Sequence, residues 1–192
     1  MTSSIDPLKR QLLRGKLRVE QSIRLPWIIS EANFMQGCTQ CQKCIEVCET
    51  NIITRDAAGF PKIDFSKGEC TFCQQCIQTC QEPLFISPLP INSHKNKSPL
   101  PWPITININE QCFAKNSIYC QSCRDECEEQ AINFSYQING ESHSILQPKI
   151  NHDDCSQCGA CISICPQNAI VLNFQQGEQI NSPTNIEVIN VN

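Results

Sequence analysis

Residues 38 to 48 read CTQCQKCIEVC, four thiols in eleven positions, and the pattern returns three more times along the chain. The sets are Cys38, Cys41, Cys44 and Cys48; Cys70, Cys73, Cys76 and Cys80; Cys112, Cys120, Cys123 and Cys127; and Cys155, Cys158, Cys161 and Cys165. Three of them share the spacing C-x2-C-x2-C-x3-C, while the third opens its first gap to seven residues. No other feature restricts the fold so strongly, because every repeat must bring its thiols to a common centre.

What that centre is follows from what it cannot be. A disulfide framework needs an oxidising compartment. The N-terminal stretch MTSSIDPLKRQLLRGKLRVEQSIRLPWIIS is interrupted by charge every few residues and has no signal-length apolar run. No segment reaches membrane-spanning length, so a cytoplasmic protein is expected. A structural zinc site wants two C-x2-C pairs separated by a longer loop around one ion. Thiols at i, i+3 and i+6 instead wrap one corner of a larger object. A [4Fe-4S] cubane fits that description, its fourth iron taking the last cysteine of the partner repeat.

That rule pairs the repeats. Cluster one is expected on Cys38, Cys41, Cys44 and Cys80, and cluster two on Cys70, Cys73, Cys76 and Cys48. Cluster three would take Cys112, Cys120, Cys123 and Cys165, and cluster four Cys155, Cys158, Cys161 and Cys127. All sixteen cysteines are then ligands, no thiol nucleophile remains, and no catalytic residue is assigned. Two departures stand out. Only the fourth set has proline directly after its last cysteine (Pro166), the second having Pro83 instead. The gap CFAKNSIYC is expected to leave cluster three looser and more exposed than the other three.

The repeat extends past the thiols. Each fourth cysteine is followed by a similar run, ETNII, QEPLFI, EEQAINF or PQNAIVL, which suits a turn into a short strand. The expected fold is α+β: two tandem bacterial-type two-cluster ferredoxin modules, each a pseudo-two-fold repeat, poor in regular secondary structure. Cysteine makes up about 8% of the chain, and without it the 40% hydrophobic fraction drops to roughly 32%. So thin a core is expected to need its clusters for stability.

The predicted divisions are a basic arm over 1–29, module one over 30–87, a proline-rich linker over 88–103, module two over 104–174 and a loose tail over 175–192. In the first 37 residues Lys9, Arg10, Arg14, Lys16, Arg18 and Arg24 face three acids. Ile5, Leu8, Leu12 and Leu17 could share a helical face there, packed on the module or offered to a partner. The formal net charge is −4, and sixteen thiolates on four oxidised cores would add roughly −8, which argues against a nucleic-acid partner. His94 is expected in the linker, His143 in a polar loop and His152 near Cys155, none as a ligand. Trp27 and Trp102 read as packing anchors.

Residues 6 to 174 resemble the NapF family, ferredoxin-type accessory proteins of bacterial periplasmic nitrate reductase systems. The likeness is carried by LKRQLLRGKLR, RLPW, CTQCQKCIEVCETNI, GFPKIDF, ECTFCQQC, CFAKNSIYCQSCRDECE and CSQCGACISICP. RLPW and the widened third gap are not general ferredoxin features. The resemblance implies a cytoplasmic polyferredoxin, not an enzyme, whose partner is the catalytic subunit of the nitrate reductase before its export. Its implied role is to supply electrons or to help install that subunit's cluster. The same ligands would equally serve an electron-transfer subunit of another redox complex, or a scaffold using metal only to fold.

Overall fold

A computed structural model describes residues 22–87, 100–139 and 143–174. The expectations for residues 1–21, most of the linker with His94, and the tail lie outside these residues.

Each cysteine set folds alike. The third cysteine sits on a one-turn helix: Lys43–Glu46, Gln75–Gln78, Ser122–Asp125 or Ala160–Ser163. The fourth follows two residues after the helix ends, its N–H bonded back to Ile45, Ile77, Arg124 or Ile162. A single turn cannot sustain itself in water, so these helices depend on what the thiols bind. Ahead of the first set, Ser30 caps the longer helix Glu31–Gly37 by accepting from the Asn33 N–H at 3.1 Å. That helix buries Phe34.

The exit turns differ in one set. Asn51, Gln130 and Asn168 occupy the third position after the fourth cysteine with φ of 56°, 51° and 48°, each N–H bonded to that cysteine's carbonyl. In the second set this position is Pro83, which has no N–H and cannot take positive φ. There the following segment makes only one β-bridge, Ile28 to Phe85. The other three exits become strands: β1 (Ile53–Arg55), β4 (Ile132–Asn139) and β6 (Ile170–Phe174).

All named pairs are antiparallel. β1 pairs with β2 (Pro61–Ile63), with Ile53 opposite Ile63. β3 (Ile104–Ile108) pairs with β6, and β4 with β5 (His143–Ile150), where Ile132 faces Ile150. His143 therefore begins a strand rather than lying in a polar loop. The overlooked signal was Asn139–Gly140 between two β-rich runs, a strong hairpin dipeptide.

Packing departs from the expected divisions at two junctions. Ile23, Leu25 and Trp27, assigned to the arm, are buried in the first module's core, and the Ile63 N–H donates to the Ile23 carbonyl at 2.7 Å. Trp102, assigned to the linker, is buried there too, its indole N–H donating to the Arg24 carbonyl at 2.8 Å. Both tryptophans are packing anchors, joined through Phe72, whose ring centroid lies 5.8 Å from Trp27 and 6.2 Å from Trp102. The physical reason is scarcity: a core this poor in aliphatics draws large side chains from flanking chain.

Arg24 is the other correction to the arm. It is buried, donating to Glu31 at 2.9 Å, Asp56 at 2.7 Å and the Pro61 carbonyl at 3.2 Å. Its guanidinium also lies over the rings of Phe34 and Phe60. This base holds the fold together and is not offered to a partner.

Candidate iron–sulfur sites

The thiols gather in four groups. Cys44 lies beside Cys38, Cys41 and, from the other repeat, Cys80. Cys123 is likewise surrounded by Cys112, Cys120 and Cys165. Cys76 has Cys70, Cys73 and Cys48 around it, with Cys44 also near. Cys161 has Cys158, Cys155 and Cys127, with Cys123 near. In every group the fourth cysteine of the partner repeat is among the neighbours, and around Cys76 and Cys161 the partner repeat's third cysteine stands with it.

Apolar walls surround the sulfurs. Cys38, Cys41, Cys44 and Cys80 line a cavity with Leu25, Phe34, Leu84 and Phe85, and Cys76 of the second set also reaches it. Cys112, Cys120, Cys123 and Cys165 share theirs with Ile108, Phe113, Phe134 and Ile170. Cys127, Cys155, Cys158 and Cys161 share theirs with Ile106, Ile132 and Ile150. Among the described residues no three His, Cys, Asp or Glu side chains close tightly enough around one metal ion.

The dry setting has an electrostatic consequence. Burial first, and then repulsion from neighbouring thiolates, pushes Cys44 and Cys123 up to about 11 and Cys76 up to about 12. Burial likewise pushes Cys70 up to about 12 and raises Cys161 strongly. These five thiols stay protonated at neutral pH unless positive charge arrives, and a bound metal must displace their protons. Soft sulfur donors, apolar walls and this demand for charge suit an iron–sulfur cluster.

Backbone donors complete the sites. Positive φ at Gln40, Phe72 and Gln157 shapes the loop between first and second cysteines, and the Phe72 and Gln157 N–H groups bond the Cys70 and Cys155 sulfurs. The Ala131 and Ala169 N–H groups donate to Cys127 and Cys165 sulfur, both at 3.3 Å. Such N–H···S bonds stabilise added negative charge and so tune reduction potential.

The widened gap is braced. A 3-10 turn, Ala114–Asn116, fills it. Lys115 donates to the Ile108 carbonyl at 2.7 Å and pairs with Glu110 at 2.8 Å, while the Asn116 amide caps the Glu110 and Cys112 carbonyls. At the tip of the gap Ile118 and Tyr119 are exposed. His152 is exposed as well.

These folds and sulfur groups define an iron–sulfur protein of the dicluster ferredoxin class. Residues 21–85 and 118–169 each match a family described as a 4Fe-4S dicluster domain, and [4Fe-4S] clusters are the cofactors, up to four for sixteen cysteines. The chain is 41% identical to "Ferredoxin-type protein NapF" of Haemophilus influenzae, over 86% of this chain and 93% of that protein. It is 38% identical to the protein of that name from Escherichia coli K12, over 88% of this chain and 96% of that one. The chain belongs to the NapF family of ferredoxin-type proteins. No solved structure matches it. Among the described residues no helix is long and apolar enough to cross a membrane.

Proposed function

We propose that the chain is a cytoplasmic electron carrier, not an enzyme, holding four [4Fe-4S] clusters on the ligand sets paired across repeats. Cys80 completes the first site, Cys48 the second, Cys165 the third and Cys127 the fourth. The observation carrying this reading is that each triad is joined by the fourth thiol of its partner repeat. When bound, a cluster supplies one-electron redox chemistry. The chain's part is to hold the sulfurs, keep water away with aliphatic and aromatic walls, and set potential through N–H···S bonds.

The family resemblance supports a specific client: the catalytic subunit of a periplasmic nitrate reductase, met before export. The carrier either delivers electrons to it or assists loading of its iron–sulfur cluster. Residues 1–21 retain five of the six bases noted above, and they are the proposed docking element now that Arg24 is committed to the core. Deleting only 1–21 spares Ile23, Leu25 and Trp27, and it should abolish co-purification with the unprocessed subunit while iron content stays full. Unchanged co-purification removes the segment from the proposal. A deletion strain with normal nitrate reductase activity, in which another reductase loses its electron supply, would instead make the chain a subunit of that other system.

A further inference from the structure

Gly159 separates the second and third cysteines of the fourth set, with φ of +90°. The turn itself does not demand glycine, since Gln42 and Gln74 hold the same place in sets one and two at φ of 69° and 61°. What excludes a side chain is a neighbour from the other half of the molecule. A Cβ on Gly159 would lie 2.0 Å from Phe65 Cδ1. Phe65 is buried and meets Trp102 edge-on at 5.3 Å. Ile162, Leu172 and Phe174 from the second half pack against the same core.

That close approach brings two ligand loops together. The Cys70 N–H donates to the Cys158 carbonyl at 2.8 Å, a direct backbone bond between a cysteine of site two and one of site four. The cavities at sites one, three and four are each lined by residues of one half alone, so the halves meet at these two ligand loops through the Cys70–Cys158 bond and the Phe65–Gly159 contact.

We propose that the Phe65–Gly159 joint is where electrons cross between the two halves, making the sites a line in the order one, two, four, three. The inference rests on the ligand pairing proposed above. One electron leaves the cluster at site two as the cluster at site four gains one, or the reverse. No bond forms or breaks and no proton moves. Electron tunnelling decays steeply with distance, so the hydrogen-bonded pair of loops carries the traffic between halves. Glycine at 159 preserves the contact.

The test uses full-length, anaerobically reconstituted protein. Replacing Cys41, Cys44, Cys120 and Cys123 by Ala leaves sites two and four; replacing Cys73, Cys76, Cys158 and Cys161 leaves sites one and three. Each background should bind about eight irons. After dithionite reduction, electron paramagnetic resonance should show mutual dipolar broadening in the first background and its loss in the second. Adding Gly159→Gln to the first should keep about eight irons and abolish the broadening. Equal broadening in the two backgrounds overturns the inference, as does broadening that survives Gly159→Gln. Iron far from eight per background overturns the ligand pairing, and the inference with it. The two backgrounds decide the matter even if Gly159→Gln costs iron.

Discussion

Arg24 and Asp56, 32 residues apart in sequence, form a 2.7 Å ion pair at the foot of the β1–β2 hairpin. Asp56 Oδ1 also accepts the Ala58 and Phe60 N–H groups, both at 2.9 Å. The pair thus fixes the hairpin turn and anchors the incoming N-terminal segment in a single constellation.

Burial by itself would raise the Asp56 carboxyl, but the Arg24 guanidinium and the two N–H donors outweigh it and hold it below its ordinary range. A lowered folded-state pKa means stabilisation that is complete above the unfolded value of about 4 and is lost as pH falls through the folded value. Asp56→Asn should destabilise by about 3 kcal/mol at neutral pH, because Arg24 stays buried with only Glu31 and a carbonyl. Chemical denaturation at several pH values should show the gap to wild type closing in acid. A gap independent of pH would show that the carboxylate charge contributes nothing.

Cys38 and Cys80 offer a sharper check of the ligand sets. If both serve site one, Cys38→Ala, Cys80→Ala and the double variant should each lose the same iron, about four atoms of about sixteen. Additive loss in the double variant would place Cys80 with its own repeat and end the paired arrangement.

Cluster removal should unfold the chain. Among the described residues four helices are of one turn and the strands have three to eight residues around sulfur-lined cavities, and the aliphatic core is thin. Oxidative stripping with a chelator should therefore abolish most far-ultraviolet dichroism, and anaerobic reconstitution should restore it. Retention of the signal would show a fold that stands without metal.

Trp102 separates packing from hydrogen bonding. Trp102→Ala should cost about 4 kcal/mol through the cavity it leaves. Trp102→Phe should cost about 1 kcal/mol, mainly through loss of the N–H to the Arg24 carbonyl. Urea unfolding midpoints of the holo-protein would measure both.

Lys115 braces the widened third loop from within. Lys115→Met removes the bond to the Ile108 carbonyl, and about four irons should then leave faster under chelation while the rest depart at the wild-type rate. Uniform loss kinetics would mean that the brace does not serve site three.

The four sets of cysteines and the strands that follow three of them were legible in the chain itself. Ligand spacing is local, and a turn that carries three thiols around a cubane has few alternatives. The hairpin of β4 and β5 was half legible, since Asn139–Gly140 marks it although the polar stretch reads as loop. Arg24 illustrates the opposite case. A base among bases looks like a solvated face, and only the arrival of Asp56 and Glu31 from later in the chain turns it inward.

Primary structure alone determined the chemistry, because sixteen thiols at those intervals commit the molecule to iron and sulfur wherever the rest of the chain lies. Tertiary structure alone decided how the halves meet: Phe65 against Gly159, Cys70 bonded to Cys158, Trp102 drawn into the first core. Those contacts join residues 78 to 94 positions apart. They depend on complementary shapes that no local pattern encodes, and they come together only when a chain short of apolar side chains buries what it has.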